Sequence, residues 1–476
     1  MRSFWLLGLL FLAACTDTSE PTTPEDATVH GSGIKADVVN HVEWAKDATI
    51  YEVNIRQHTP EGTIAAFEKD IPRIKDMGVD ILWLMPIHPI GELNRKGGKG
   101  SYYSVKDYYE VNPEFGTMTD FQNLVSTAHS NGMKVILDWV ANHSAWDNDW
   151  VELHPEYYSV DSAGNMHAPV EDWSDVVDLN YDNEGLRAEM IKALKYWIEV
   201  ADVDGYRCDV ADWVPVDFWE EARIELEKVN PDIFMLAEAE NPRHHDRAFD
   251  MSYSWEFMHI MNQIAMTKGL MSPDLIVEKG WHDEGKTLAS IDEYMAKEDT
   301  NFVRDAYRMT FITNHDENSW NGTVFERFGD AHELFAVMAS TINGMPLVYS
   351  GQEAGNAERL LFFEKDTIAW GEMKHEEFYT TLLKANKEHE ALWNGMNGGE
   401  FKRIKTSDED DIYCYSRTKG ESSVVTVLNF SNEKKNVTFL ESVSGEYTSI
   451  FNGQTLSVFT ETDLSLEPWG YQVFAK

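Results

Sequence analysis

The chain predicts an α/β fold: a (β/α)8 TIM barrel with an excursion after its third strand, followed by a C-terminal antiparallel β-sandwich domain. Three observations predict it. From Ala48 onward, β-type runs alternate with amphipathic helical stretches, the alternation that builds a parallel sheet. The early strands are near-continuous apolar runs, as strands covered on both faces must be. After about Glu388 the pattern changes to short strands separated by polar turns, which reads as a separate antiparallel domain.

In chain order, TIYEVNI (49–55) reads as the first strand. Ile64, Phe67, Ile71, Ile74 and Met77 recur at three- and four-residue steps and predict one core-facing helix, with Gly78 as its C-cap. VDILWLMPI (79–87) follows as the second strand and completes a βαβ unit. KVILDWV (134–140), VDGYRCDV (203–210), DIFMLAEAE (232–240), a weaker run at 248–252, RMTFITNH (308–315) and PLVYSG (346–351) bring the set to eight. The competing architecture is a doubly wound open sheet, which lacks support because no GxGxxG turn follows the first strand. Residues 144–185, rich in Trp, Asp and Asn, form a small subdomain over the C-terminal face of the barrel. IYCYSRT (412–418), SVVTVLNFS (423–431), KNVTFL (435–440) and YQVFAK (471–476) supply the terminal domain. The chain thus divides into a signal peptide at 1–14, a flexible linker at 15–40, the barrel at 41–388 and the β domain at 389–476.

Charge is the outlier in composition. Asp and Glu number 82 against 40 Lys and Arg, a formal net charge of −42. Such a surface repels nucleic acid and anionic polymers, and suits a neutral substrate in a salty or extracellular medium; plain solubility explains it equally. A mean hydropathy of −0.42 excludes a polytopic membrane protein.

The N-terminus reads as an address. Arg2 supplies a positive start, Phe4 to Leu12 an apolar stretch too short to span a bilayer, and Leu12-Ala13-Ala14-Cys15 a small-residue site ending in cysteine. LAAC resembles the bacterial lipobox, which implies cleavage before Cys15, acylation of its thiol and anchoring to an outer membrane or cell surface. An ordinary signal peptide with a chance cysteine is the alternative. Residues 16–30 are polar and Pro/Thr-rich, as a disordered tether would be. Cys208 and Cys414 fall in different domains, which argues against a disulfide, and no CxxC or Cys/His cluster suggests zinc.

Acidic residues gather at the C-terminal ends of the barrel strands, where barrel enzymes build active sites. Asp138 ends the third strand, Asp209 the fourth and Glu238 the fifth, and Asp316 follows the seventh. A lone Asp there is usually a turn former or cap. Several carboxylates converging on one rim must raise at least one pKa, which turns a carboxyl into a general acid near neutrality. Glycoside hydrolysis needs such a pair. Arg207 stands two residues before Asp209, so the two share a strand face, as a structural salt bridge or as a guanidinium that keeps a nucleophile ionised and aimed.

DWVANH (138–143), GYRCDVAD (205–212), FMLAEAE (234–240) and FITNHDEN (311–318) resemble, in order and spacing, the signature regions of the α-amylase family of glycoside hydrolases. MPIHPIGE (85–92), YYSVKDYYEVNPEFGT (102–117), DLNYDN (178–183) and PLVYSGQEAG (346–355) extend the match over about residues 48–370. The resemblance implies a retaining hydrolase of α-glucans such as starch and malto-oligosaccharides, acting on α-1,4 bonds and needing no cofactor for its chemistry. It implies Asp209 as nucleophile, Glu238 as acid/base and Asp316 as a third carboxylate that grips the distorted ring. Arg207, His143 and His315 match the residues that orient Asp209 and bind the same sugar. Tyr103 matches the aromatic platform beneath it, with Tyr102 as the alternative register. Retention further implies carboxyl groups about 5–5.5 Å apart. Asn142 and Asp178 match positions that bind calcium in many members, so a structural calcium is allowed.

Departures leave parts open. Asp212-Trp213 stand where many members carry Lys-His on the leaving-group side, so hydrolysis and transfer to another sugar both remain, as does an isomerase. A non-catalytic glucan-binding relative is disfavoured by the full set of carboxylates, and a metal-dependent hydrolase by the lack of an HxH or HExxH motif. Asp138 reads as a buried structural carboxylate beneath the nucleophile. Trp146, Trp150 and Trp173 in the excursion either stack on sugar units or form a local core.

Overall fold

The computed structural model describes residues 39–441, 443–458 and 464–476; the signal peptide, Cys15 and nearly all of the linker lie outside the described residues. In chain order the first ten strands are β1 (Ile50–Val53), β2 (Ile81–Leu84), β3 (Lys134–Trp139), β4 (His143–Ala145), β5 (Val176–Asp178), β6 (Gly205–Cys208), β7 (Phe234–Ala237), β8 (Met251–Tyr253), β9 (Tyr307–Thr310) and β10 (Met345–Tyr349). All but β4 and β5 pair parallel, each with the next, and β10 returns to β1 to close a barrel. Closure sets Ile50 between Leu347 and Ile81. Helices cover the outside and opposing side chains fill the inside, so every residue of β1, β2, β6 and β7 is buried. Gly205 opens β6 because nothing larger fits: a Cβ there would stand 1.9 Å from the Phe234 carbonyl oxygen.

The hydrogen-bonded strands are shorter than the apolar runs that announce them. Asp209, Glu238 and His315 fall just past their ladders, on the open C-terminal rim. The stripe at 64–77 differs from the single helix expected. It divides into a turn of α-helix at Ile64–Phe67, a 3-10 turn at Glu68–Asp70 and a helix at Ile71–Asp76. Pro72 at the start of the last piece cannot donate into a continuous α ladder, so the chain tightens before it. The burial survives the break, with Ile64, Phe67, Ile71 and Ile74 fully buried.

The excursion is a ribbon, β4 antiparallel to β5, with a short helix at Asp149–Leu153 capped by Asn148. C-terminal to the barrel come β11 (Glu400–Arg403), β12 (Ile412–Lys419), β13 (Ser422–Asn429), β14 (Lys435–Val437), β15 (Ser444–Ser449), β16 (Thr455–Val458), β17 (Leu464–Leu466) and β18 (Tyr471–Ala475). Six make an antiparallel sheet ordered β11-β12-β13-β18-β15-β16, while β14 and β17 form a two-stranded ribbon. The second layer of the sandwich is therefore only that ribbon, whose Val437, Leu464 and Leu466 pack on Cys414, Val427 and Phe474. The alternate residues Tyr413, Tyr415, Val424 and Leu428 face the other way and join the barrel core. Tyr415 Oη and Thr341 Oγ1 share a hydrogen bond of 2.5 Å across this junction. Cys208 and Cys414 are buried free thiols. No helix among the described residues is long and apolar enough to cross a membrane.

Candidate active site

Arg207 is the centre of the rim. It is completely buried, pointing inward from β6. Its Nη1 donates to Asp138 Oδ1 and to Asp209 Oδ1, both at 2.8 Å. Its Nη2 lies 2.9 Å from Glu238 Oε2, and its Nε donates to the Tyr253 hydroxyl at 3.0 Å. One guanidinium thus touches three carboxylates from three consecutive barrel strands. Trp83, Tyr103 and Tyr253 surround it with ring faces 5.0, 5.8 and 5.5 Å away, which keeps water off the cation.

The turn after the nucleophile position joins two of these strands. Val210 adopts φ 37°, ψ 46°, a left-handed conformation rare for a β-branched residue. The reversal aims its N–H at Glu238 Oε2, 2.8 Å away. Glu238 N–H donates back to the Cys208 carbonyl at 3.0 Å. Asp209 and Glu238 are therefore positioned as one unit.

Burial pushes all three carboxyls upward, and Arg207 opposes it. Asp138 and Asp209 rise to about 6 and Glu238 to about 7, the last raised further by Asp209 and Asp316. The carboxyls share one guanidinium and titrate as a coupled set raised toward neutrality. Asp138 has no exposed surface and accepts from Trp83 Nε1 at 3.1 Å and Tyr103 Oη at 3.0 Å. It is the floor under Asp209, as its position implied.

Across the barrel, His315 Nδ1 bonds Glu52 on β1 at 2.5 Å, and its Nε2 meets Tyr103 Oη at 2.8 Å. Burial alone would depress this imidazole, but the carboxylates of Asp316 and Glu52 outweigh it and raise it to about 9. It is a second fixed cation at neutral pH. Asp316 lies 3.5 Å from its Nε2 and keeps its carboxyl at the surface. Tyr103 stacks against His315 at 5.4 Å and against Phe362 at 6.2 Å. Tyr102 is instead buried under the Arg56 guanidinium at 4.0 Å, so of the two it is Tyr103 that reaches Asp138 and His315. Burial lowers His143 to about 3, leaving it neutral, with a ring nitrogen bonded to the Tyr103 backbone.

A model of the α-amylase catalytic domain matches residues 56–173 and 161–405. The chain belongs to the α-amylase family. It is an enzyme of that glycoside hydrolase type, and three similar proteins illustrate the range. The alpha-amylase MalA of Haloarcula japonica is 26% identical over 85% of this chain, which spans 59% of that protein. An alpha-1,4-glucan:maltose-1-phosphate maltosyltransferase of Streptomyces coelicolor is 31% identical over 78% of this chain and 56% of its own length. The crystal structure of an alpha-amylase from Lactobacillus plantarum superposes with a TM-score of 0.79 at 28% identity, covering 91% of this chain and 99% of that one.

The β4–β5 ribbon brings Asn142 and Asp178, the pair matched to calcium positions, close together. Calcium takes about six to eight oxygens. Here the Asn142 side-chain nitrogen meets His143 Nδ1 at 3.2 Å, which leaves Oδ1 for a cation, and burial raises the Asp178 carboxyl. Among the described residues no group of three His, Cys, Asp or Glu side chains converges on a metal-sized space. The excursion tryptophans also divide. Trp150 stacks on Tyr108 at 4.9 Å and meets Tyr157 at 5.9 Å, a local core. Trp146 ties its Nε1 to the Ser174 carbonyl at 3.1 Å. Trp173 faces the rim. Glu52, Tyr253 and Phe362 were missed by the sequence reading; Glu52 alone left a signal, as the single charge in an otherwise apolar barrel strand.

Proposed function

We propose that this enzyme is a retaining hydrolase of α-glucans, cleaving α-1,4 bonds of starch and malto-oligosaccharides. Asp209 attacks the anomeric carbon to form a covalent glycosyl-enzyme. Glu238 protonates the departing oxygen and later accepts a proton from water. Asp316 grips sugar hydroxyls as the ring distorts, Tyr103 lies beneath that ring, and His143 and His315 border it. Arg207 aims Asp209 and holds it ionised. One observation carries the reading: a single guanidinium holds both Asp209 and Glu238, and burial raises both carboxyls toward neutrality, so the pair can hold one proton and one charge. Retention requires close carboxyls with separated roles. The α-amylases among the relatives support the substrate class.

The test is Asp209→Asn and Glu238→Gln, assayed on starch, pullulan and malto-oligosaccharides with product anomers followed by NMR. Each should lose about 5 kcal/mol or more of barrier lowering, close to four orders of magnitude, with the fold intact. The wild type should release the α-anomer first. A β-anomer, or near-normal turnover in either variant, sinks the proposal.

Every step above is taken by side chains of the chain, so no cofactor enters the chemistry. A structural calcium would draw on Asn142 Oδ1, the Asp178 carboxylate and nearby backbone oxygens. A melting temperature that falls on chelation and recovers with calcium would establish one. The LAAC motif supports export and anchoring through Cys15, the enzyme's only membrane contact. Cys15→Ser should move the protein from membrane to soluble fractions in its native host, and an unacylated mature N-terminus elsewhere in the chain would refute the anchor.

A further inference from the structure

The C-terminal face of the barrel is built unevenly. Long connections follow β2 (residues 85–117), β3 (140–183) and β10 (350–375). By contrast, β8 runs into its helix through Ser254 alone, and β6 through residues 209–215. Most of the chain that rises over the rim therefore stands on one side of it.

The long connections are joined to one another. Lys99 N–H donates to the Phe363 carbonyl at 2.8 Å, and Gly98 N–H to Glu364 Oε1 at 2.6 Å. Gly97 permits this approach: its φ is +62°, and a Cβ there would stand 2.5 Å from the Phe363 Cβ. Buried Arg56, after β1, donates to the carbonyls of Gly100 and Phe362 at 3.0 and 3.3 Å. Trp320, after β9, meets the Phe362 and Phe363 rings at 5.2 and 5.6 Å. At the other end, Lys96 Nζ donates to the Asp172 carbonyl in the excursion, pairs with Asp175 at 3.4 Å and lies 6.0 Å over the Phe363 ring. Any packing of these loops would need Arg56. Lys96 is different, because it leaves its own loop to tie the excursion to Phe363 while its side chain stays 31% exposed.

A continuous wall thus crosses the ends of β9, β10, β1, β2 and β3, which are neighbours in the barrel. The strand ends outside it are β6, β7 and β8, with the Glu238 strand in the middle. A general acid faces the oxygen that departs, so the leaving chain lies toward Glu238. The sugars kept on Asp209 extend the other way, toward the wall. Asp209 holds them by the anomeric carbon, so the end that meets the wall is the non-reducing end.

We propose that this wall ends the cleft on its non-reducing side, so the enzyme works inward from non-reducing chain ends and releases short products. Lys96 is the positioning residue that keeps the wall shut. The proposal rests on the hydrolase reading and deepens it by assigning exo action.

The experiment compares kcat/KM of the intact protein on 4-nitrophenyl maltoheptaoside with a free or a 4,6-ethylidene-blocked non-reducing glucose, products being read by chromatography. The wild type should cleave the blocked substrate about a hundredfold more slowly, and on amylose should release reducing ends while the iodine colour persists. Lys96→Ala should raise the blocked-to-free ratio about tenfold, with melting temperature and activity on the free substrate nearly unchanged. Trp320→Ala, which thins the wall from its other end, should do the same, and Lys96→Arg should keep the wild-type ratio. Equal rates on the two substrates, or early collapse of the iodine colour, overturn the wall without any variant. An unchanged ratio in a folded alanine variant overturns the role of that residue. A wild type that releases no sugar from any α-glucan overturns the hydrolase reading and the wall with it.

Discussion

Replacing Arg207 by Gln should move the whole pH–rate profile to higher pH. In the wild type, Asp209 must ionise near pH 6 and Glu238 must keep its proton up to about 7, so kcat/KM should follow a narrow bell between those values. The guanidinium lies 2.8 Å from Asp209 and 2.9 Å from Glu238, so its removal weakens both ionised forms almost equally. Between charge centres about 4 Å apart, at an effective dielectric near 20, each pair is worth about 4 kcal/mol, or roughly three pKa units at most. Asp138 also loses its partner, and a proton taken up by one carboxyl relieves the others, so about one to three units is expected. Both limbs should move together, because both carboxyls lose the same cation. Stability should follow the same sign. Folded carboxyls whose pKa values exceed those of the unfolded chain stabilise below about pH 4 and lose that contribution as pH rises through the folded values. The variant should therefore be weakest at alkaline pH, where breaking the buried pairs costs about 3–5 kcal/mol. The assay is kcat/KM on maltoheptaose from pH 4.5 to 10, with melting temperatures at each pH. Arg207→Lys, which keeps a charge, should leave the optimum near its wild-type position while lowering kcat. An optimum for Arg207→Gln within half a unit of wild type would refute the reasoning.

Two further outcomes follow from the same contacts. Glu52→Gln removes one of the two carboxylates that hold His315 charged, so activity relative to wild type should be nearly preserved at pH 5.5 and fall about tenfold by pH 8; a ratio constant across that range would dissociate Glu52 from the site. Trp150→Ala should cost about 2–3 kcal/mol, part of what a fully buried ring costs, and leave the product pattern unchanged; a changed pattern with an unchanged melting temperature would return Trp150 to the sugar path.

Local pattern determined a large part of this protein. Apolar runs and three-to-four-residue stripes report which face of each segment is buried, and burial is what a barrel arranges, so the eight strands and the terminal sheet were legible in order. Spacing within one strand was equally legible: Arg207 and Asp209, two residues apart, had to share a face and do share a bond. The limit of local pattern appears at Pro72, where the stripe survives but the helix does not. Contacts made across the barrel were beyond it. Glu52 and His315 are 263 residues apart and meet only because β10 closes onto β1. Phe362 reaches Tyr103 by the same closure. Trp150 and Trp173 occupy one short excursion and look alike in sequence, yet one turns onto Tyr108 and the other toward Trp213. A side chain's neighbours across a closed sheet depend on how the whole sheet rolls up, so tertiary structure alone sorted core rings from rim rings and supplied the second cation beside the carboxylates.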